Sequence, residues 1–169
     1  YGTVTVMDGE EPVEVTTYRS DSITSDGRRP DSVTYATTIA EDLSRRDFTV
    51  NAIAYDVLTG VVEDPFGGCG DIQEKVLRAV GNPKQRFLED GLRILRAIRF
   101  ASQKGFVLEV GLREAILESL DYLDNVSKER TRDELMKTLG GEYVGDGLTL
   151  LQELGVFGKI CPELAKQPG

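Results

Sequence analysis

The pattern of apolar residues changes at the Asn82–Pro83 pair, and this change constrains the fold more than any other feature of the sequence. Before it, short stretches that alternate apolar and polar residues are separated by turn-forming residues, which is typical of β-hairpins. After it, the apolar residues recur with helical periodicity. The sequence therefore predicts an α+β fold, with a small antiparallel sheet and helices over residues 1–81 and a helical domain over residues 82–169.

The predicted elements follow from this pattern. Hairpins are expected at Thr3–Met7 with Pro12–Tyr18 and at NAIAYDV with VVED, a short helix at TIAEDLSRR and a short strand at VLRAV. The polar stretch from Ser20 to Arg29 predicts a mobile loop. One or two helices are expected over Arg86–Gln103, with Leu88, Leu92, Leu95 and Ile98 in apolar register. The remaining predicted helices are Leu112–Leu120, Lys128–Leu139 and Gly147–Leu154.

The charge balance limits the possible partners. The chain has 20 Lys and Arg against 29 Asp and Glu, a net charge of −9, so any contact with nucleic acid must be local rather than spread over the surface. Its two cysteines, Cys69 and Cys161, have neither the number nor the spacing of a zinc site or a disulfide framework, which favours a reducing cytoplasm. No apolar run is long enough to span a membrane, and no membrane partner is expected.

Charged residues recur in the segment FLEDGLRILRAIRF at spacings of three and four, which predicts that they share one helical face. Two interpretations are open. The face is either a solvated row of ion pairs or a surface that recognises a nucleobase. A carboxylate beside a guanidinium complements the amino group and ring nitrogen of cytosine or adenine, but not the carbonyl and N–H of guanine or uracil. These residues are Glu89, Asp90, Arg93, Arg96 and Arg99.

A second charged group lies in EDLSRRDFTVNAIAYD, where Arg45, Arg46, Asp47 and Asn51 precede an apolar stretch. Arginine binds phosphate oxygens bidentately, and Asp or Asn can bond ribose hydroxyls. A capped helix with surface charges explains the same residues equally well. The turn EDPFGGCGDI that follows lacks the glycine spacing of a phosphate-binding loop and is interpreted as structural.

The order of four segments carries a family resemblance. RRDFTVNAIAYD, DPFGG, RFLEDGLRILRAIRFA and VSKERTRDELMKTL resemble the class II tRNA nucleotidyltransferases, or CCA-adding enzymes, and the related bacterial poly(A) polymerases. The resemblance implies a polymerase-β-like head over residues 1–81 and an all-α neck over residues 82–169. It also implies an enzyme that transfers CMP and AMP from CTP and ATP to the 3′ end of tRNA, with Mg²⁺ as cofactor.

The resemblance assigns roles to individual residues. Asp90 and Arg93 would pair with the base edge, and Glu89 would hold Arg93 in place. Glu129 and Arg130 would buttress this helix. Arg46 would contact the incoming nucleotide, and Asp47 and Asn51 would lie near its ribose. Arg96 and Arg99 would lie toward the triphosphate.

One motif of the family has no counterpart in these 169 residues. It is the GGxVRD segment with an Asp-x-Asp pair that binds two Mg²⁺ ions, so these residues by themselves are expected to hold no metal and to be inactive. Glu14, on a predicted strand, is a candidate for an accessory role near the metals.

Two alternatives to a CCA-adding function are open. One is a poly(A) polymerase that rejects CTP. The other is a non-catalytic nucleotide- or RNA-binding module, or a half-enzyme completed by a partner chain. Exposed apolar surface also suggests self-association.

Overall fold

The structure is a computed structural model that describes residues 3–21 and 33–165. Most of the loop predicted over residues 20–29 lies outside these ranges. Its first two residues belong to a strand, Arg19–Asp21.

The described residues before Asn82 contain three antiparallel strand pairs. The first hairpin pairs Val4 with Val15 and Val6 with Val13, and the strands of both predicted hairpins are present. Because the four valines alternate with polar residues, they lie on one face of the hairpin. The pairs are β1 (Thr3–Asp8) with β2 (Glu11–Thr16), β3 (Arg19–Asp21) with β4 (Val33–Tyr35), and β5 (Ala54–Tyr55) with β6 (Val62–Glu63).

The described residues before Asn82 also form two α-helices and a 3₁₀ turn. Helix α1 (Ile39–Ser44) begins after Thr38, whose hydroxyl accepts a hydrogen bond from the Glu41 N–H and thereby satisfies one free donor of the first turn. A 3₁₀ turn covers Thr49–Asn51. Helix α2 (Gly68–Glu74) begins where both Asp64 carboxylate oxygens accept backbone N–H groups, so the glycine-rich turn has a structural function.

The second half of the described chain is mainly helical. The prediction for Lys128–Leu139 matches α6 at both ends, whereas α5 and α7 begin two or three residues earlier than predicted. The helices are α3 (Pro83–Glu89), α4 (Leu92–Lys104), α5 (Val110–Glu118), α6 (Lys128–Leu139), α7 (Val144–Glu153), α8 (Val156–Ile160) and α9 (Pro162–Ala165), with a 3₁₀ helix at Leu120–Asn125.

A short parallel pair connects the two halves. Strand β7 (Val76–Leu77) of the head pairs with β8 (Val107–Leu108), which lies between α4 and α5. The prediction of a purely helical second half missed β8, because two residues are too few to show alternation. Phe48 and Leu77 of the head are buried in the same core as Leu95 and the other apolar residues of α4 and α5. The two halves therefore share one hydrophobic core, while the division at residue 81 stays a prediction.

One or two helices were predicted over Arg86–Gln103, and the structure has two, α3 and α4, which are separated at Asp90 and Gly91. Asp90 has extended backbone angles, φ −155° and ψ 106°, so it lies outside both helices. Gly91 packs so closely on the Tyr122 backbone carbonyl that a Cβ atom would overlap it. The expectation of one continuous charged helical face is therefore wrong for Asp90. The break also changes the apolar register, since Leu88 is 57% exposed and Phe87 is buried instead.

Candidate functional site

A cleft of about 470 Å³ lies between the end of α1 and the charged face of α4. It brings together the two charged groups that the sequence separates by about forty residues. Seven of the predicted site residues line it: Arg46, Asp47, Asn51, Asp90, Arg93, Arg96 and Arg130. Arg45 of the second charged group lines it as well, while two further lining residues, Leu92 and Phe100, were absent from the predicted site.

Asp42 is a buried residue of α1 that contacts Arg45 and Arg46, two of the arginines that line the cleft. Its side chain is 2% exposed. Oδ1 accepts from the Arg19 backbone N–H at 3.0 Å and from Arg45 Nε and Nη2 at 2.9 and 2.6 Å, and Oδ2 accepts from Arg46 Nη2 at 2.8 Å. Burial acts to raise the pKa of Asp42, but these hydrogen bonds outweigh it and hold the pKa below its ordinary value.

The lowered pKa predicts a loss of stability in acid. A carboxyl group whose pKa is lower in the folded state contributes stability above its unfolded pKa, about 3.9, and loses it as the pH falls through the folded value. We therefore expect Asp42→Asn to lower the free energy of unfolding most near pH 7, with the difference from the unmodified chain shrinking below about pH 4. Urea unfolding across this pH range measures the difference. A difference that stays constant from pH 7 to pH 2 would contradict the assignment.

Asp47 organises the opposite corner of the cleft. Its Oδ2 accepts from Arg96 Nε at 2.7 Å and lies 2.7 Å from Arg96 Nη2, so the ion pair uses a single carboxylate oxygen. Its Oδ1 accepts from the Asn51 amide and the Phe48 backbone N–H, both at 2.9 Å. Asp47 is 8% exposed. The carboxylate therefore fixes the positions of Arg96 and Asn51, and its predicted place near a ribose stays a prediction.

Arg93 joins the two walls. Its Nη1 donates to Glu89 Oε2 at 2.6 Å and to the Arg86 carbonyl at 3.1 Å. Its Nη2 donates to the carbonyl of Arg45, at the end of α1, at 3.2 Å. Arg86 reaches the same region, donating to the Ser44 carbonyl at 3.1 Å. Arg93 is therefore held rigidly, and it also ties α4 to the head.

Asp90 projects from the break between α3 and α4. Its Oδ1 accepts from the Leu92 backbone N–H at 3.0 Å, and its Oδ2 accepts from Arg130 Nη2 at 2.7 Å. Arg130 thus connects α6 to the cleft, while Glu129 is exposed on the first turn of α6. The ionised carboxylate has remaining lone pairs and can only accept hydrogen bonds.

Arg99 was predicted to lie toward the triphosphate, but it does not line the cleft. It lies between α4 and α6, with Nε 3.1 Å from Oε2 of the buried Glu134 and its guanidinium 5.1 Å from the centre of the Phe100 ring. Each helical residue turns the side chain by about 100°, so Arg99 points about 120° away from Arg93 while Phe100 returns to the same face. This spacing of seven was the sequence signal that could have identified Phe100.

The described residues offer no fit for the predicted Mg²⁺. Glu14 lies on β2 in an exposed hairpin, opposite Thr5. Within residues 3–21 and 33–165, no group of three or more His, Cys, Asp or Glu is placed to hold a metal ion. Cys69 and Cys161 are both free thiols. No helix in the described ranges is long and apolar enough to cross a membrane.

Comparison with known proteins agrees with this geometry. Residues 1–78 match the model of the poly A polymerase head domain, and residues 105–167 match that of a probable RNA- and SrmB-binding site of polymerase A. The CCA-adding enzyme of Levilactobacillus brevis is 44% identical over 98% of this chain. The chain spans 41% of the length of that relative.

Solved structures give the same result. The crystal structure of the Bacillus stearothermophilus CCA-adding enzyme in complex with CTP superposes with a TM-score of 0.83 at 42% identity, over 92% of this chain and 37% of that one. A tRNA nucleotidyltransferase complexed with a primer tRNA and an incoming ATP analog superposes with a TM-score of 0.77 at 31% identity, over 94% of this chain and 44% of that one. The α+β fold class and the resemblance found in the sequence are thereby confirmed. The chain belongs to the family of class II tRNA nucleotidyltransferases, the CCA-adding enzymes, and bacterial poly(A) polymerases.

Proposed function

We propose that the cleft selects the incoming nucleotide for an enzyme that adds CMP and AMP, from CTP and ATP, to the 3′ end of tRNA. The observation that carries the proposal is the arrangement of Asp90 and Arg93 on one wall of a cleft whose other charged side chains are mostly arginines. The solved relatives in complex with CTP, and with primer tRNA and an ATP analog, support the choice of nucleotides and primer.

The base edge is recognised by matching donors to acceptors. Asp90 accepts from the amino group of cytosine or adenine, and Arg93 donates to the adjacent unprotonated ring nitrogen. Guanine and uracil offer a carbonyl to the carboxylate and an N–H to the guanidinium, so both pairs of groups would be mismatched. Since Arg93 is held by Glu89 and two backbone carbonyls, it keeps its orientation without the base present.

The remaining charges suit the rest of a nucleoside triphosphate. Arg45, Arg46 and Arg96 supply guanidinium donors for phosphate oxygens. Asn51 and Asp47 lie beside Arg96 and are proposed to face the ribose. Phe100 offers an aromatic surface in the same cleft. We retain the division into a head over residues 1–81 and a neck over residues 82–169 as part of this proposal.

The metal part of the chemistry lies outside what the described residues supply. Divalent cations in two-metal transfer need carboxylates that bind both ions, and the described residues do not include such a set. We propose Mg²⁺ as the ion of the full reaction, and we derive no step through it. The residues of the cleft bind and orient the nucleotide.

Titration with the four ribonucleoside triphosphates tests the proposal. CTP and ATP should bind the chain about 10- to 100-fold more tightly than UTP and GTP, the range expected when a mismatch leaves charged groups without partners. The preference should persist at moderate salt, because phosphate attraction is common to all four nucleotides. Binding of ATP but not CTP would favour a poly(A) polymerase, and equal affinity for all four would contradict base selection by this cleft.

A further inference from the structure

We propose that Asp42 is a positioning residue that holds Arg45 and Arg46 in place to receive the phosphates of the bound nucleotide. The inference rests on the proposed function for its ligand. Asp42 is not among the residues that line the cleft. Its effect would pass entirely through the two arginines.

The geometry that carries the inference is a buried carboxylate shared by two guanidinium groups that line the cleft. Arg45 bonds Asp42 through Nε and Nη2, and Arg46 bonds it through Nη2 alone. The exposed fraction of the side chain rises from 2% for Asp42 to 15% for Arg45 and 40% for Arg46. The carboxylate is therefore buried, whereas the two guanidinium groups that it binds are closer to solvent.

The arrangement favours a phosphate for two physical reasons. One Asp42 carboxylate is shared by two guanidinium groups, so among these three side chains the positive charge exceeds the negative charge by one. Arg46 donates to Asp42 through Nη2, and its side chain is 40% exposed in the cleft, so the rest of its guanidinium group faces the space where a phosphate would bind. An arginine that is already anchored also loses less side-chain entropy on binding than a mobile one.

Positioning and simple electrostatics predict opposite signs when Asp42 is neutralised. Removing a negative charge near the cleft should strengthen the binding of a polyanion if charge alone matters. If Asp42 positions the arginines, Asp42→Asn should weaken that binding although the cleft becomes more positive. The direction of the change therefore separates the two explanations.

Inorganic triphosphate is the probe, because it has no base and tests the phosphate-binding wall alone. Calorimetric titration at about 0.1 M salt should show binding about tenfold weaker for Asp42→Asn, which corresponds to one charge-assisted hydrogen bond. Asp42→Glu, which keeps the charge but displaces the carboxylate by one methylene group, should also weaken binding. If Asp42→Asn does not fold, Asp42→Glu still tests whether the position of the carboxylate matters for triphosphate binding.

Two controls isolate the effect. Glu41→Gln removes the same charge from the same helix, but Glu41 contacts the Thr37 backbone N–H and no arginine of the cleft, so binding should stay equal or tighten slightly. Asp71→Asn removes a buried carboxylate that pairs with Arg78 and accepts from the Thr49 hydroxyl, so it should also lower stability while leaving the Arg45 and Arg46 contacts of Asp42 intact. Its affinity for triphosphate should be unchanged.

Triphosphate binding tests the role of Asp42 separately from base selection, because triphosphate has no base. Unchanged or tighter triphosphate binding in the folded Asp42 variants would overturn it, as would a chain that does not bind triphosphate at all. A loss as large in Asp71→Asn would show a general structural effect and also overturn it. If the Asp42 variants bind triphosphate weakly while the unmodified chain fails to distinguish CTP from UTP, the inference stands and the proposed base selection is wrong.

Discussion

Gly91→Ala is expected to lower the free energy of unfolding by about 3 kcal/mol, at the upper end of the cost of overpacking. Gly91 has ordinary right-handed helical angles, φ −58° and ψ −22°, so alanine is not excluded by the backbone conformation. Gly91 is the N-cap of α4, a position where glycine is also preferred over alanine. The expected loss arises from overlap of the new methyl group with the Tyr122 carbonyl, a backbone atom that cannot rotate away.

Gly145→Ala is the matched control. Gly145 lies in α7, and a Cβ atom there would meet nothing within 4 Å among the described residues. Urea unfolding followed by circular dichroism should show Gly145→Ala at least as stable as the unmodified chain and Gly91→Ala clearly less stable. If Gly91→Ala were as stable as the control, the close packing that separates α3 from α4 would be absent.

The sequence predicted which charged residues line the cleft more accurately than it predicted how their side chains are arranged. Helical spacing grouped Asp90 with Arg93, but Asp90 lies outside both helices. Gly91 beside it packs against the Tyr122 carbonyl, 31 residues away, and this contact leaves no pattern in the spacing. Spacing also grouped Arg99 with Arg96, although the buried Glu134 on α6 is its actual partner. Local periodicity identifies which residues are candidates, while long-range contacts decide where each side chain lies.

The hairpins and α6 were predictable because turn residues and caps mark their ends within a few positions. Ser127 accepts from the Arg130 N–H at the start of α6, and glycine follows its last residue. The β7–β8 pair and the contact between Arg93 and the Arg45 carbonyl join segments that are distant in sequence. Neither contact leaves a pattern in either segment alone.

Arg93→Ala is expected to abolish the preference for CTP over UTP and to weaken CTP binding about 10- to 100-fold. The variant loses the donor proposed for the ring nitrogen, together with the hydrogen bonds to Glu89, the Arg86 carbonyl and the Arg45 carbonyl. A charge-assisted hydrogen bond contributes about 1.5 to 3 kcal/mol, which corresponds to this range of affinity. Calorimetric titration with CTP and UTP gives both affinities.

The ratio of the two affinities is the decisive quantity, because Arg93 also joins the head to α4. Its loss lowers stability and disturbs the nearby phosphate-binding arginines, but those effects weaken CTP and UTP together and cancel in the ratio. Arg113→Ala is the control for loss of an ion-paired arginine. Arg113 Nη2 lies 2.9 Å from Glu153 Oε2, and neither residue lines the cleft. That variant should keep the preference. A folded Arg93→Ala variant that still prefers CTP over UTP would assign base selection to other residues, and the Glu89–Arg93 pair would then serve only to hold α4 against the head.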